Sequence, residues 1–555
     1  MARDPDQGGA FVFDLVDDGA DDPQVSFAGS GAGGGPGAEP EPDGRPAGDA
    51  PLRDRERYLR VLGPVAAVLA VVLGTGLAVE GVRDGARMER MRDVPGGVAD
   101  VSRPLDEAWT WDGPVGWAGA TGDDVWGTEA VVLGDRLVVP SGNDLVALDP
   151  ASGDVAWTAR LGADPECGPL GSAGWGAAVA RRLVCLTGDA ADRVAVVVDP
   201  DGTVSAERVL DPADSERYGR PRPGPDGTVL RAQRVGPAPG PLPDGAGCDD
   251  MGECTGTVEE GRDVVLRAED AVTGDERWSV TIPFRATRAD QCANWGGDSW
   301  DGTVSTGLLN VEDFGAQVQD QLVQVYGCGV QSAVTPDGLV LGTRMEPGSG
   351  GVERLRSGGY AEYTFEGDLR TVLLDADGER VGEVEGYVLE PLTVTGPEAP
   401  TLMSAGGLGT RLASYALDGT PRWDVPAREG VQQFLAQVEG TAVMLAVPGS
   451  VLGVDLATGA ERWTWDGGDP EGSSTGTLFV SRAFTDGRSV LLVVEDGSGA
   501  AGLTALDAET GEVVWERPPA AEDLTGDVWS GPVSGLLAVD GNLVEVVSSG
   551  ARGLG

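Results

Sequence analysis

From about residue 130 onward, short apolar runs alternate with turn residues. Ala130 to Leu133 and Arg136 to Pro140 are separated by Gly-Asp, and the run Leu145 to Leu148 ends at an aspartate. Runs of this length, bounded by Gly, Asp and Pro, are typical of short antiparallel strands. Two further runs, Leu536 to Val539 and Leu543 to Val547, lie near the C-terminus. We therefore predict an all-β region built from units of about four short strands.

One motif marks the turn between two strands of a unit, Asp-x-x-x-Gly-x-x-x-Trp. Its aspartate can accept hydrogen bonds from turn amides, its glycine allows the positive φ of a hairpin turn, and its indole can fill the gap between neighbouring sheets. These roles predict a structural motif. The four clear copies are Asp149, Gly153 and Trp157; Asp270, Gly274 and Trp278; Asp455, Gly459 and Trp463; and Asp507, Gly511 and Trp515.

Weaker copies of the turn lie between the strong ones. They are centred near Asp199, Asp337, Asp375 and Asp418. Four-stranded units repeated in tandem at this period are typical of β-propeller blades. We predict an eight-bladed β-propeller, with seven blades as the alternative because the copy near Asp337 is poor.

The N-terminal part of this region indicates how the ring closes. Trp109, Thr110 and Trp111, followed by Asp-Gly, resemble the segment Trp463 to Gly467, which is the last strand of a unit. The C-terminal runs supply only the opening strands of a unit. We therefore predict that the strand containing Trp109 and Trp111 completes the C-terminal blade and removes both free sheet edges.

The first hundred residues have a different composition. Residues 1–52 are rich in Gly, Pro, Asp and Ala, which predicts a disordered tail. Residues 53–60 are basic, and 61–79 form an uncharged apolar run, which at 1.5 Å per residue is long enough to span a bilayer as a helix. We expect a signal anchor at 61–79, a stalk over 80–104 and the propeller over 105–555.

Flanking arginines are nearly balanced on the two sides of the apolar run, so they do not decide its orientation. All six cysteines follow the run: Cys167, Cys185, Cys248, Cys254, Cys292 and Cys328. An even number of cysteines favours disulfides in an oxidising compartment. We therefore expect the tail on the cytoplasmic side of the cytoplasmic membrane and the propeller on its extracytoplasmic side. Proximity along the sequence favours the pairs Cys167–Cys185, Cys248–Cys254 and Cys292–Cys328.

The charged residues and the absence of histidine exclude or disfavour several classes of function. The chain has 40 Lys+Arg, 90 Asp+Glu and no His, for a net charge of -50. Without histidine it has no Ser–His or Cys–His nucleophile and no imidazole metal ligand. A strongly negative chain repels phosphate backbones, so nucleic acid is not an expected partner.

The Asp-x-x-x-Gly-x-x-x-Trp repeats resemble the pyrroloquinoline-quinone-type (PQQ-like) repeats of bacterial eight-bladed propellers, over roughly residues 105–550. That family includes quinoprotein dehydrogenases and cofactor-free scaffolds, among them the propeller lipoprotein of the outer-membrane protein assembly machine. The resemblance implies that the repeat positions are structural and bind no cofactor. The dehydrogenases have an adjacent Cys–Cys pair, which this sequence lacks.

We therefore predict no cofactor, no metal site and no catalytic residue. Asp199-Pro-Asp201 and Asp375-Ala-Asp377 resemble fragments of calcium loops but lack the downstream glutamate, so we interpret them as turns. The favoured function is a membrane-tethered, non-enzymatic module of the cell envelope that binds a protein or small ligand. The alternatives are a quinone-dependent oxidoreductase and a receptor for carbohydrate or peptide. Insertions at 220–250 and 283–300, which include Trp295 and Trp300, are candidate recognition surfaces.

Overall fold

The computed structural model describes residues 83–555, with gaps at 119–128, 173–177, 190–191, 239–246, 249–253, 293–299, 301–309, 320, 344, 346, 349, 365–368, 397–400, 407–408, 428–429, 448, 468–478, 496–500 and 519–534. The predicted tail 1–52, basic segment 53–60 and span 61–79 lie outside the described residues. Among the helices that are described, none combines the length and the apolar run needed to cross a bilayer.

Nine antiparallel four-stranded blades make up the described part of the propeller, and eight of them are continuous in sequence. In chain order, their strands are Glu129–Leu133, Arg136–Gly142, Asp144–Leu148 and Val155–Arg160 (blade 1); Glu166–Gly168, Leu183–Thr187, Val194–Val198 and Val204–Val209 (blade 2); Pro221–Pro223, Thr228–Val235, Asp263–Asp270 and Glu276–Ile282 (blade 3); Phe314–Gln319, Leu322–Gly327, Val330–Val334 and Val340–Leu341 (blade 4); Gly350–Arg354, Tyr360–Thr364, Arg370–Leu374 and Arg380–Glu385 (blade 5); Tyr387–Leu389, Leu402–Gly406, Arg411–Tyr415 and Pro421–Pro426 (blade 6); Gly430–Val438, Thr441–Val447, Ser450–Asp455 and Glu461–Trp465 (blade 7); and Phe479–Thr485, Ser489–Glu495, Ala501–Asp507 and Val513–Arg517 (blade 8).

Blade 9 contains both ends of the propeller sequence. Its strands Leu536–Val539, Asn542–Val547 and Gly550–Leu554 are followed in the sheet by Glu107–Trp111. In the register, Trp109 is opposite Gly553 and Trp111 is opposite Ala551. The N-terminal strand therefore completes the C-terminal blade, as the repeated Trp-Thr-Trp-Asp-Gly segment predicts.

The predicted number of blades, eight or seven, is wrong. Each of the eight Asp turns lies in its own blade, including the poor copy near Asp337. The ninth blade has no such turn, because its third strand ends at Leu554 and its fourth strand comes from the other end of the sequence. In a ring closed this way, the number of blades is therefore one more than the number of Asp turns.

Strand order places the first strand of each blade nearest the propeller axis and the fourth at the rim. The burial of the strands agrees with this order. Fourth strands such as Val204–Val209 and Pro421–Pro426 alternate between exposed and half-buried residues, whereas second strands such as Leu183–Thr187 are buried throughout.

Short strands supplement two of the blades. Gly116–Trp117, Gly171–Ser172 and Ala178–Ala180 pair with blade 1, and Thr393–Val394 pairs with the first strand of blade 7. Beyond blade 3, Gly247–Cys248 pairs with Cys254–Thr255, and Thr257–Val258 pairs with Thr287–Arg288. The helical segments are α1 (residues 83–92), α2 (Pro212–Tyr218) and the 3₁₀ turns Pro225–Gly227 and Ala289–Cys292.

The segment expected as a stalk over 80–104 packs on the propeller where it is described. Val98 and Val101 belong to the apolar core between blades 8 and 9. The amide of Val98 donates to Thr485 O at 2.9 Å, and the amide of Ala99 donates to Gly541 O at 2.8 Å. Burial of these apolar residues joins the segment to blades 8 and 9, so the packed region begins before residue 105.

Candidate functional site

The regular junction between blades is illustrated by Trp463 of blade 7. Its indole N–H donates to Ala508 O, in the turn of blade 8, at 3.1 Å. The ring lies over Gly511, whose φ is 72° and where a Cβ atom would come within 2.5 Å of the indole. In the same turn, Asp507 Oδ1 accepts the amides of Glu509 at 3.0 Å and Thr510 at 2.8 Å. The tryptophan of one blade therefore packs on the aspartate turn of the next.

This indole–turn contact recurs at six junctions of the described ring. At five of them the acceptor is a carbonyl in the next blade's turn, and at the junction of blades 8 and 9 it is Val101 O, because blade 9 has no turn. The donor–acceptor pairs are Trp109–Pro150, Trp157–Pro200, Trp278–Pro336, Trp423–Leu456, Trp463–Ala508 and Trp515–Val101, with N–O distances of 2.7–3.1 Å.

Three junctions have no tryptophan at this position. Between blades 2 and 3 the matching position is Ala206, between blades 4 and 5 the turn glycine faces Leu339 and Leu341, and between blades 5 and 6 the position is Gly382. Among the described residues, the apolar clusters at these junctions contain six or seven buried residues. Those at the six Trp-containing junctions contain 11 to 13.

Between blades 2 and 3 an arginine takes the place of the indole. Arg208 Nε donates to Ala271 O at 2.9 Å, the carbonyl that follows the turn aspartate of blade 3. Its Nη2 donates to Glu269 Oε1 at 2.8 Å, and Arg231 Nε reaches the same oxygen at 3.3 Å. The side chains of Glu269 and Arg231 are only 2% and 0% exposed. A buried ionic cluster therefore lies at this Trp-free junction, in contrast to the apolar Trp-containing junctions.

A second arginine cluster joins the first strand of blade 2, the residue before its third strand and the start of blade 3. Glu166 forms a salt bridge with Arg193 and has Arg222 Nη1 at 3.5 Å and Arg220 Nη2 at 3.7 Å. Burial lowers the pKa of Arg193, Glu166 opposes this effect, and the charges of Arg220 and Arg222 add to the lowering. Among the described residues, three guanidinium groups thus lie within 3.7 Å of the Glu166 carboxylate. Glu166, Arg193, Arg220 and Arg222 are called the inner arginine cluster.

Trp300 borders the inner arginine cluster. Its indole N–H donates to Arg220 O at 3.1 Å, and the Arg222 guanidinium lies 5.4 Å from the ring centroid. Arg222 Nε also donates to Trp300 O at 3.3 Å. Of the two predicted insertions, 283–300 therefore brings Trp300 to the cluster, while Trp295 lies outside the described residues. The other insertion, 220–250, is shorter than expected, because Pro221–Pro223 and Thr228–Val235 are strands of blade 3.

The cysteines form the three disulfides that sequence proximity favours: Cys167–Cys185, Cys248–Cys254 and Cys292–Cys328. Cys167 and Cys185 are register partners on the first two strands of blade 2, so this disulfide is next to Glu166. Among the described residues, no group of three or more Cys, Asp or Glu side chains could hold a metal ion.

The junction of blades 5 and 6 contains a different polar cluster. The Tyr387 hydroxyl donates to Glu353 Oε1 at 2.8 Å, and its ring meets that of Tyr363 edge-on with centroids 5.1 Å apart. Burial raises the pKa of Tyr363 to about 12. Burial also raises the pKa of the nearby Glu390 to about 7, although the Arg356 amide, which donates to its Oε2 at 3.1 Å, opposes the effect. This Trp-free junction thus contains carboxyl and phenol groups.

The repeat spacing does not predict these polar residues. Glu166, Arg193, Arg220 and Arg222 come together from two blades, and Arg208 and Glu269 are 61 residues apart. One signal was available in the sequence. The turn Asp199 to Gly202 has alanine at residue 206, where a complete copy of the motif has tryptophan. That departure marks the junction at which arginine replaces the indole.

Residues 369–554 match the family model described as Outer membrane protein assembly factor BamB. Among solved structures, BamB from Moraxella catarrhalis is 12% identical, with 74% of this chain and 96% of that chain covered and a TM-score of 0.24. Quinohemoprotein alcohol dehydrogenase from Comamonas testosteroni is 13% identical, with 81% and 76% covered and a TM-score of 0.31. The C-terminal WD40 domain of Sif2 is 10% identical, with 82% and 99% covered and a TM-score of 0.34.

A search of curated proteins finds no match. The match over 369–554 begins near the third strand of blade 5 and ends at the third strand of blade 9, so it excludes the junction of blades 2 and 3. Together with the repeated Asp, Gly and Trp positions in the sheets, this match supports PQQ-like repeats over residues 369–554 of the β-propeller.

Proposed function

We propose that this propeller is a non-enzymatic binding module of the cell envelope and that its inner arginine cluster recognises a carboxylate group on a small ligand or protein partner. The observation that carries the proposal is the local charge. The whole chain has a net charge of -50, yet in the described part of the chain three arginines lie within 3.7 Å of the Glu166 carboxylate. A concentration of guanidinium groups in an acidic protein favours recognition of an anionic group.

Arginine geometry favours a carboxylate as that group. A guanidinium presents paired N–H donors that fit the two oxygens of a carboxylate. The negative charge of the whole chain repels polyanions, which disfavours nucleic acid and favours a ligand with one or two charges. Glu166 occupies the position that a ligand carboxylate would take, so binding would shift part of the arginine contacts from Glu166 to the ligand.

The proposed location follows from the cysteines and the N-terminal sequence. Three disulfides link all six cysteines, which supports an oxidising compartment. The apolar run 61–79 would anchor the chain in the cytoplasmic membrane, with the N-terminus in the cytoplasm and the propeller on the extracytoplasmic side. A membrane-impermeant thiol reagent, applied to intact cells after reduction, should label the propeller cysteines, and labelling only after lysis would contradict this orientation.

Calorimetric titration of the full-length chain tests the binding proposal. The probes are N-acetylalanine and N-acetylalaninamide, which differ in the carboxylate. We expect the acid to bind at least about tenfold more tightly than the amide, because a charge-assisted hydrogen bond contributes about 1.5–3 kcal/mol. Equal affinity for both probes, or no binding of either, would contradict the proposal.

Two arginine variants locate the binding. Arg220→Gln should weaken binding of N-acetylalanine by about tenfold, since it removes one charged donor. Arg380→Gln is the matched control, because Arg380 is an exposed arginine that pairs with Glu383 at the rim of blade 5. Equal weakening by both variants would show that the effect comes from net charge rather than from the inner arginine cluster.

A further inference from the structure

A cavity of ≈ 290 Å³ lies against helix α2 on blade 3, apart from the inner arginine cluster. Arg217 and Tyr218 of α2 form one side, and Gln233, Val235, Val265 and Arg267 of the second and third strands form the other. This volume is near the lower end of the range for small-molecule pockets, so the cavity has room for a small organic molecule.

Tyr218 orders the two arginines of this cavity. The guanidinium of Arg217 lies 4.8 Å from the centroid of the Tyr218 ring, and that of Arg267 lies 4.3 Å from it. Asp211 caps the start of α2 by accepting the Ala213 amide at 2.9 Å. At the other end of the helix, Gln233 Nε2 donates to Arg217 O at 2.5 Å. The positions of both arginines are therefore fixed by a ring and by a helix that is held at both ends.

The cations in the cavity outnumber the carboxylates. Glu276 forms a salt bridge with Arg267 Nη1 at 2.5 Å. Among the described residues, the buried Nε of Arg267 has no hydrogen-bond partner. Arg217, Arg267 and Glu276 are the charged residues that line the cavity. Two guanidiniums thus face one carboxylate.

Two valines supply the apolar part of the wall. Val235 and Val265 come from neighbouring strands and lie beside the arginine pair. A ligand that satisfies both features has one negative charge attached to a short apolar body. We propose that this cavity is a second binding site, for a small aromatic or aliphatic monocarboxylate. The guanidiniums of Arg217 and Arg267 hold its carboxylate, and its apolar part lies against the two valines.

Titration of the full-length chain with benzoate tests this site, with benzamide as the neutral probe of the same shape. We expect saturable binding of benzoate, and benzamide binding at least about tenfold weaker. Arg267→Gln and Arg217→Gln should each weaken benzoate binding by about tenfold, and Tyr218→Leu should do the same because the arginines lose the ring on which they stack. If Arg267→Gln lowers the folded fraction, the benzoate affinity of Arg217→Gln decides whether the site exists. Arg217 is exposed, so its replacement should leave the fold intact.

Arg277→Gln is the matched control on the same blade, because Arg277 pairs with Asp270 at 2.7 Å. It should bind benzoate as the unmodified chain does. Absence of saturable benzoate binding, or equal binding of benzamide, would overturn the proposal. So would benzoate binding that survives Arg267→Gln but is lost in Arg220→Gln, because that result assigns the ligand to the inner arginine cluster. The two proposed sites can therefore be refuted independently of each other.

Discussion

The two faces of blade 3 pack against their neighbours in opposite ways. Toward blade 4, Leu230, Leu266 and Trp278 belong to an apolar cluster of twelve buried residues. On the other face, Arg231 and Glu269 are buried together with Arg208 of blade 2. Because successive side chains in a strand alternate between faces, one pair of strands supplies both surfaces. The apolar face belongs to the junction with an indole–turn contact, and the ionic face belongs to the junction without it.

This difference holds around the described ring. Junctions with tryptophan have large apolar clusters, whereas the three Trp-free junctions have small ones. Two of these three contain polar clusters, a buried one around Glu269 and a half-buried one around Glu353 and Tyr387. Junctions that follow the consensus repeat are therefore apolar, and the polar clusters lie at junctions that depart from it.

The largest expected effect comes from removing an indole. Trp278→Ala should destabilise the propeller by about 3–5 kcal/mol, because it leaves a cavity at the apolar face of blade 3 and removes the donor to Pro336 O. Thermal unfolding followed by circular dichroism measures the loss. Trp278→Phe, which keeps a ring but not the donor, should lose less than half as much. Equal losses would show that the hydrogen bond, rather than packing, controls this junction.

A smaller effect is expected on the opposite face. Glu269→Gln removes the charge that Arg208 and Arg231 share and should cost about 2–3 kcal/mol in the free energy of unfolding. The exposed variant Glu276→Gln on the same blade is the control, with an expected loss below about 1 kcal/mol. An unchanged unfolding midpoint in Glu269→Gln would mean that the ionic cluster does not stabilise the junction.

Loss of the Arg208 guanidinium in the junction between blades 2 and 3 should cost less again. Arg208→Met keeps an aliphatic side chain near Gly274 but removes the donors to Ala271 O and Glu269 Oε1, with an expected loss of about 1–2 kcal/mol. The double variant Arg208→Met, Glu269→Gln tests coupling, because side chains in contact give non-additive changes. Strictly additive losses would indicate that the two groups do not interact.

The smallest effect is a dependence on pH at the junction of blades 5 and 6. Burial raises the Glu390 pKa from 4.5 to about 7, so the folded state binds a proton there that the unfolded state has released. This contribution to stability is complete below about pH 4.5 and is lost as pH rises through about 7. Glu390→Gln should remove that loss in urea midpoints measured across the range. The exposed Glu379→Gln variant should retain it, and identical profiles for both variants would contradict the assignment.

Much of the fold follows from the sequence because the repeat has a local physical cause. The aspartate accepts amides two and three residues later, and the glycine takes a positive φ, so Asp507 and Gly511 identify a turn without knowledge of the rest of the chain. The predicted closure at Trp109 and the three disulfides also depend on patterns that can be read along the sequence. The blade count failed only because the closing blade has no turn to be counted.

The candidate sites could not be predicted in the same way. Glu166 and Arg222 meet through the packing of two blades, and no spacing along the chain encodes their 3.5 Å separation. The cavity beside Tyr218 depends on how α2 rests on blade 3. What the sequence does contain is the absence of tryptophan at Ala206, which locates the unusual junction but not the arginines that fill it. The transmembrane anchor at 61–79 stays a prediction.

Hydrogen exchange on the native full-length chain, resolved by peptide, tests most directly whether indole–turn contacts control local stability. Fourth strands that precede Trp-free junctions, Val204–Val209, Val340–Leu341 and Arg380–Glu385, should exchange faster than those that carry the tryptophan, such as Glu276–Ile282 and Glu461–Trp465. Equal protection of the two groups of strands, or slower exchange in Val204–Val209 than in Glu276–Ile282, would contradict the account.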